Sequence, residues 1–192
     1  MTQRINKRSM LVVSALLDWA EVLVGSVFAV IFILTFVFNT ATVSGSSMEN
    51  TLYNGDRLLL GVIGYSPKSG DIVVIDSDEL DEYIVKRIIG LSGQTVTIDY
   101  IAGTVSVDGE VVYEPYLKDG LLDDTGNFDR EDYDSDRQVY EYSVPEGKIF
   151  VMGDNRDRSN DSRSFGAVDA DDIVGKVIFR TYSERGHIGP IG

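Results

Sequence analysis

Three short segments of the sequence combine residue types that could carry out a reaction. Residues 44–52 hold a cluster of serines with a glycine, and Ser47 in this cluster offers a hydroxyl group. Residues 83–90 place Lys86 within an apolar run. Residues 152–163 are rich in charged and small side chains and follow a second apolar run in the sequence. A serine nucleophile activated by a neighbouring base would need side chains of these types.

The segment 83–90 predicts a strand in which a cation shares a face with aliphatic side chains. Lys86 lies on one face with Ile84 and Ile88, because alternate residues of a strand point the same way. Burial there disfavours the charged ammonium, lowers the lysine pKa and makes a neutral amine available near neutral pH. Such an amine could accept a proton from a serine hydroxyl. The alternative is an edge strand whose lysine reaches back to solvent.

The cysteine and histidine content limits which nucleophiles and metal sites the protein can have. The chain has no cysteine, and its one histidine is His187, close to the C-terminus. Thiol nucleophiles, thiolate metal sites and multi-histidine metal sites are thereby excluded, and we expect no metal and no cofactor. If the protein cleaves amide bonds, serine with lysine is the arrangement that remains. Taken singly, residues 44–52 also suit a polar linker and residues 152–163 a structural turn.

The net charge indicates which classes of partner the protein can bind. The sequence has 17 Lys and Arg and 31 Asp and Glu, so its formal net charge is 17 − 31 = −14. Nucleic acid is therefore not an expected partner, since neutralising phosphates needs clusters of lysine and arginine. The 192 residues suit one ordinary domain with room for a small subdomain. The sequence leaves the oligomeric state open.

An uncharged apolar segment, residues 22–38, precedes the candidates and predicts a membrane anchor. At about 1.5 Å per residue its helix would be roughly 25 Å long, at the short end for a bilayer core of about 30 Å. The N-terminus is basic, so residues 1–21 are expected to be a cytoplasmic start with an interfacial segment. Residues 39–192 would lie outside the cytoplasm, with Ser47 close to the membrane surface. A cleaved signal peptide is the competing interpretation, but this apolar run is long for one.

Residues 39–192 predict a mainly β domain. Short β-rich runs alternate with turn signals, and long helical periodicity is absent from the sequence. Asp108 with Gly109 predicts a hairpin turn. The pattern suggests an antiparallel barrel, closed or partly closed, rather than alternating strands and helices. The predicted strands are 57–63, 71–76, 83–89, 95–100, 103–107, 110–113, 148–152 and 173–181.

Residues 118–141 depart from this pattern. They are rich in acidic and polar residues and poor in aliphatic ones, which predicts a mobile, solvated loop or part of an inserted lobe. Calcium binding by the aspartates of this stretch is the alternative, although they lack the spacing of an EF-hand loop.

Five features follow one another in a recognisable order. They are the N-terminal anchor, Ser47-Met48 followed by Thr51-Leu52, residues 70–74, residues 86–91, and residues 153–163. Each alone is a weak signal, but together they resemble the bacterial type I signal peptidases over almost the whole chain. Members of that family are membrane-anchored Ser/Lys endopeptidases that remove signal peptides from exported preproteins. The single anchor and small outer domain are similar to those of the Gram-positive members.

The resemblance implies a role for each candidate residue. Ser47 would be the nucleophile, its own backbone N–H an oxyanion donor, and Lys86 the general base. Ser159 would orient the lysine amine. The implied fold is an SH3-like antiparallel β-barrel core with an inserted lobe over about residues 101–145. The supporting residues would be the ion pair of Asp161 with Arg163 and their neighbours Asp154 and Arg87, and the oxyanion and substrate strands would include Gly45, Ser46, Ile84 and Val85.

The implied substrates are preproteins with signal peptides. Such a chain would bind in an extended form along residues 43–46 and 83–85 and be cut after a small-x-small site. The implied location is the cell membrane, spanned once with a cytoplasmic N-terminus and with the lipid bilayer as a second partner. A non-catalytic relative that serves as a pilus-assembly factor or chaperone is the alternative function, and a self-cleaving Ser/Lys switch protein is a third.

Three positions depart from the family pattern. Gly45 stands where some members have a serine whose hydroxyl adds an oxyanion donor. Asn50 stands where proline is usual, and losing the fixed φ of proline predicts a less preorganised turn. Arg158 stands where asparagine is frequent. We expect these changes to affect efficiency or substrate range rather than to remove activity.

Overall fold

The chain divides into two units. A computed structural model describes residues 7–36, 38–117, 133–134 and 138–191. The units, separated by their internal contacts, are Met1–Phe38 and Asn39–Gly192. The first unit is built on a long helix, and the second is built almost entirely from strands.

Helix α1, Lys7–Phe36, forms the first unit. Its segment Met10–Phe32 is long and apolar enough to cross a membrane, by length and composition. Its large side chains, including Trp19 and Phe28, are exposed rather than packed against protein. The predicted N-terminal apolar helix is thus present, and it is compatible with membrane anchoring. The helix continues unbroken across the predicted boundary between residues 21 and 22, because that stretch contains neither proline nor a run of β-branched residues.

In the part that the structure describes, the second unit contains two β-sheets. Helix α2, Ser162–Phe165, is a single turn in this unit. The strands are β1 Phe38–Thr42, β2 Arg57–Gly61, β3 Ile72–Ser77, β4 Glu82–Gly90, β5 Thr95–Asp99, β6 Thr104–Val107, β7 Glu110–Val111, β8 Tyr133–Asp134, β9 Val139–Ser143, β10 Lys148–Met152, β11 Val168–Asp169, β12 Ile173–Tyr182 and β13 Gly189–Pro190.

The larger sheet has the order β1-β2-β12-β3-β4-β10-β11, with β13 beside β12, and the smaller has the order β7-β6-β5-β9-β8. The pairings of β2 to β13 are antiparallel. The mainly β, antiparallel fold is therefore confirmed, and all eight predicted strands are present. The SH3-like barrel stays a prediction. The smaller sheet begins at Thr95, ahead of the lobe predicted over residues 101–145.

The sequence of residues 118–141 predicts a solvated loop or part of an inserted lobe, and the solvated loop is wrong at its C-terminal end. Residues 139–141 belong to β9, which pairs with β5. The reason is Tyr140, which is fully buried and packs near Phe150 with a ring-centroid distance of 6.2 Å. Burial of this one aromatic ring outweighs the charge of its neighbours. Most of the predicted loop, residues 118–132 and 135–137, lies outside the described residues.

The apolar core holds the candidate segments in place. One core cluster contains Val43 and Met48, which lie on either side of Ser47 in sequence. Another contains Ile84 and Ile88, which flank Lys86 on β4. Both candidate side chains thus stand between residues that are anchored by burial of apolar surface.

Candidate active site

The chain forms a tight turn around Ser47, residues 46–52, called here the Ser47 turn. The Ser46 carbonyl accepts a backbone hydrogen bond of 3.0 Å from the residue three positions later. The Met48 carbonyl accepts one of 2.8 Å from Leu52. Because Met48 and Leu52 are fully buried, the turn is tied to the core at two points.

Two residues at this turn have a left-handed backbone. Gly45 has φ 88° and donates its N–H to Asn54 Oδ1 at 3.0 Å, and Asn50 has φ 93°. A serine at position 45 would be strained here, although nothing lies within 4 Å of its Cβ position. Proline cannot adopt the Asn50 conformation, since its ring holds φ near about −65°. The turn is thus built for a residue other than the proline that the family pattern leads one to expect.

Strand β4 carries Lys86. The lysine lies opposite Val73 of β3 and is only 4% exposed. Burial lowers the pKa of Lys86. The negative charges of Asp161 and Glu82 raise that pKa, and the positive charge of Arg163 lowers it. Burial is the largest of these effects, so the neutral amine is favoured relative to that of a lysine in water.

Ser47 and Lys86 line one cavity of about 360 Å³. Its walls come from residues 42–48, residues 82–86 and three further side chains, which are Leu80, Arg158 and Asn160. The cavity thus brings together Gly45, Ser46, Ile84 and Val85 as well. Among the described residues, Ser47 Oγ and Lys86 Nζ have no hydrogen-bond partner, and none joins them to each other.

A buried ion pair lies beside the lysine. Arg87 donates from Nε to Asp154 Oδ1 at 2.9 Å and from Nη2 to Asp154 Oδ2 at 2.7 Å, a bidentate arrangement. Thr51 donates its hydroxyl to the same carboxylate. The Tyr116 ring centroid lies 3.8 Å from the Arg87 guanidinium carbon, at a distance suited to a cation–π contact. This cluster ties the Ser47 turn to the strand that carries Lys86.

A second buried ion pair joins Asp161 to Arg163. Arg163 Nε donates to Asp161 Oδ1 at 2.8 Å, and the N–H of Gly153 donates to Asp161 Oδ2 at 3.0 Å. Burial alone would raise the pKa of Asp161, but these two groups hold that pKa below its usual range. Asp161 is therefore a fixed anion close to Lys86, largely balanced by the cation beside it.

Gly153 allows Ser159 and the Ser47 turn to approach closely. A Cβ at position 153 would stand 2.3 Å from Ser159 Oγ and 2.4 Å from the Ser47 carbonyl oxygen. Ser159 Oγ is buried and has no hydrogen-bond partner of good geometry within the described part of the chain. Its hydroxyl nonetheless lies near enough to Asp161 to help lower the pKa of that carboxyl group.

Several supporting residues were not predicted from the sequence. Thr51 of the Ser47 turn donates to Asp154, and Asn155 donates to Ser46 of that turn. Glu114 forms an ion pair with Arg156. Asn155 lies inside a segment that the sequence singled out, but no role was predicted for it. Its partner Ser46 is 109 positions away in the chain, so the contact is not visible as a local pattern.

Comparisons with known proteins point to one family. The family model described as "signal peptidase, peptidase S26" matches residues 16–182. Signal peptidase IB of Staphylococcus aureus strain Mu50 is 38% identical over 183 residues, which cover 90% of this chain and 93% of that protein. Signal peptidase I of Bacillus licheniformis is 36% identical over 184 residues, 89% of this chain and 92% of that protein.

One solved structure is similar as well. The crystal structure of a signal peptidase I from Enterococcus faecalis V583 has a TM-score of 0.46 and 30% sequence identity to this chain. The match covers 59% of this chain and 97% of the other.

Proposed function

Because the chain belongs to the signal peptidase family, peptidase S26, we propose that a dyad of Ser47 and Lys86 removes signal peptides from exported preproteins. Membership of this family makes the protein a serine peptidase, and therefore a hydrolase. Signal-peptide removal follows from the family. The assignment of the two reacting groups, and of a cut after a small-x-small site, rests on the residues themselves.

The observation that supports the dyad is the shared cavity of Ser47 and Lys86. A serine hydroxyl is a weak nucleophile until a base takes its proton, and a charged lysine cannot act as that base. Burial lowers the pKa of Lys86 and so increases the fraction of neutral amine at neutral pH. The mechanism requires Ser47 Oγ and Lys86 Nζ to come within hydrogen-bond reach inside this cavity.

The chemical steps then follow in order. Lys86 Nζ takes the proton of Ser47 Oγ as this oxygen bonds to the scissile carbonyl carbon. The C–N bond breaks, and the leaving amine takes the proton from the Lys86 ammonium. Water then adds to the acyl ester, gives one proton to Lys86 and releases Ser47 with its proton restored. No cofactor enters any of these steps.

The supporting roles fit the surroundings of the lysine. Ser159 would accept or donate a hydrogen bond at the amine, since its hydroxyl is buried and unpartnered within the described residues. Asp161 alone would stabilise the charged ammonium and raise the pKa of Lys86. The positive charge of Arg163 opposes that effect. The ion pair therefore forms a rigid wall beside the amine and changes the pKa of Lys86 less than Asp161 alone would.

The start of β4 offers an edge for an extended substrate. Residues 82–86 pair with β3 on one side, whereas β10 pairs with β4 only from Arg87 onward. Residues 43–46 line the same cavity. A preprotein segment could therefore add as a strand along this edge, with main-chain hydrogen bonds giving affinity. Small side chains near the cut would suit a cavity of this limited volume.

We infer a single membrane span with a cytoplasmic N-terminus. Lys7 and the basic residues around it precede the apolar segment Met10–Phe32, and positive charge favours the cytoplasmic side. The second unit would then work outside the cytoplasm, and the lipid bilayer would be a partner of α1. Protease protection of a tagged C-terminus in sealed vesicles of known orientation tests this placement.

Cleavage of a preprotein with a small-x-small site tests the dyad. The full chain in detergent or vesicles should cut it, while Ser47→Ala and Lys86→Met should each lose at least about 1,000-fold in kcat/KM. Methionine suits the Lys86 position because it removes the amine and keeps an apolar side chain of similar length. Ser164→Ala and Lys68→Ala, at exposed positions, serve as matched controls.

Two results would contradict the assignment. Cleavage retained in either dyad variant would remove that residue from the mechanism. Wild-type protein that cuts no preprotein, although folded and embedded in lipid, would contradict the activity. The rate should also fall on the acid side of its pH profile, because protonation removes the neutral Lys86 amine.

A further inference from the structure

Asn155 holds the peptide bond that precedes the nucleophile. Its side-chain Nδ2 donates to the Ser46 carbonyl oxygen at 3.0 Å. Its backbone N–H donates to the Ser47 carbonyl oxygen at 2.9 Å. One residue thus binds two successive carbonyls of the Ser47 turn, one through its side chain and the other through its main chain.

The side chain of Asn155 is committed to this contact. Asn155 immediately precedes the short 3-10 helix Arg156–Arg158, where an asparagine side chain would ordinarily cap the first N–H groups. No such capping bond is formed. The amide reaches across to Ser46 instead, so a local capping role does not account for it.

Holding the Ser46 carbonyl also fixes the N–H of Ser47. The peptide unit is planar and trans, so its C=O and N–H point in opposite directions and turn together. In the part of the chain that the structure describes, the Ser47 N–H has no hydrogen-bond partner. It is a free donor attached to the reacting residue, and its direction is set by what binds the Ser46 oxygen.

We propose that Asn155 is a positioning residue that orients the Ser47 N–H toward the oxyanion formed in the reaction. The proposal rests on the Ser47 mechanism given above. As Ser47 Oγ adds to the carbonyl carbon, the carbonyl oxygen gains negative charge, and the N–H hydrogen bond to it strengthens. A donor aimed in advance stabilises that state without reorganisation. Gly45 brings no hydroxyl to this position, so the direction of the one backbone donor matters more.

Asn155→Asp and Asn155→Ala test this role. The aspartate has the same shape but places an oxygen against the Ser46 oxygen, while the alanine leaves that carbonyl with its turn hydrogen bond alone. The Asn155 backbone bond to Ser47 is present in both, which favours retention of the fold. Asn39→Asp, at an exposed position on β1, is the matched control for the charge change.

The readouts separate positioning from general damage. We expect kcat to fall about 10- to 100-fold with KM within about twofold, since one of two supports of the donor is lost rather than the donor itself. A peptide aldehyde, which adds to serine and forms an oxyanion, should bind more weakly by a similar factor. The thermal unfolding midpoint should change little in Asn155→Asp and not at all in Asn39→Asp.

Two outcomes would overturn the proposal. One is an unchanged kcat in both Asn155 variants. The other is a lower kcat with undiminished aldehyde affinity, which would show that the loss does not arise at the oxyanion. If Asn155→Ala fails to fold, the aldehyde affinity of Asn155→Asp decides alone. Loss of activity in Ser47→Ala is measured separately, so the Ser47 mechanism can stand when this inference fails.

Discussion

Gly153→Ala should damage catalysis through one added carbon atom. The φ of Gly153 lies outside the left-handed region, so alanine is compatible with the backbone there. The cost comes from the new Cβ, which would stand 2.4 Å from the Ser47 carbonyl oxygen and 2.3 Å from Ser159 Oγ. Real Cβ contacts are essentially never closer than 3.0 Å, so both groups must retreat by about 3.0 − 2.4 = 0.6 Å or more.

That shift displaces both the Ser47 turn and Ser159, the residue proposed to orient the Lys86 amine. The Ser47 carbonyl oxygen belongs to the backbone of the Ser47 turn, so it can retreat only if the turn moves. Its hydrogen bond of 2.9 Å from Asn155 N resists that movement. A misplacement of about 1 Å can cost on the order of 100-fold in rate, so we expect a loss of about 10- to 100-fold in kcat/KM. Overpacking of a filled interior should also lower the free energy of unfolding by about 1–3 kcal/mol.

The assay compares kcat/KM on a preprotein with chemical denaturation of the same sample. Gly189→Ala is the control, since nothing lies within 4 Å of its Cβ position and its φ is also outside the left-handed region. The reasoning is refuted if Gly153→Ala cuts within twofold of Gly189→Ala.

Two further predictions concern the electrostatics and the backbone of the site. Glu82→Gln removes a negative charge that raises the pKa of Lys86, so that pKa should fall further and the acid limb of kcat/KM should move to lower pH. A limb that stays in place or moves to higher pH contradicts this effect. Asn50→Pro should lose activity and stability, because φ is 93° there, whereas Asn50→Gly should keep both. Denaturation curves and kcat/KM for the pair check this, and an Asn50→Pro variant as stable as wild type would show that the turn differs from the one described.

The strands could be predicted because their alternation is local. In β5 every second residue is buried, and the sequence shows that period directly. β9 escaped prediction since its two tyrosines are separated by a glutamate within an acid-rich stretch. The segment is a strand because Tyr140 is buried beside Phe150 and lies opposite Ile98 of β5, and the local pattern does not show this pairing.

The site could be predicted in part for a similar reason. Burial of Lys86 follows from the apolar residues on either side of it in β4. No local pattern shows that Lys86 and Ser47 line the same cavity. The prediction that they act together depended on the resemblance to a family. The contacts of Thr51 with Asp154 and of Asn155 with Ser46 join residues 103 and 109 positions apart. Such contacts depend on the complete strand order, which single-sequence reasoning does not supply.

The pairing of β4 with β10 brings together parts of the chain that are made at very different times. Residues 153–155 follow β10 directly, so the pairing of β10 with β4 places them beside the Ser47 turn. A fragment ending before residue 148 keeps Ser47 and Lys86 but lacks Asn155, which binds the turn, Ser159, which is proposed to orient the amine, and Asp161, whose charge acts on Lys86. A growing chain therefore has no complete site before residues 153–161 have been made, and the onset of cutting would report when this late part of the chain docks against the Ser47 turn.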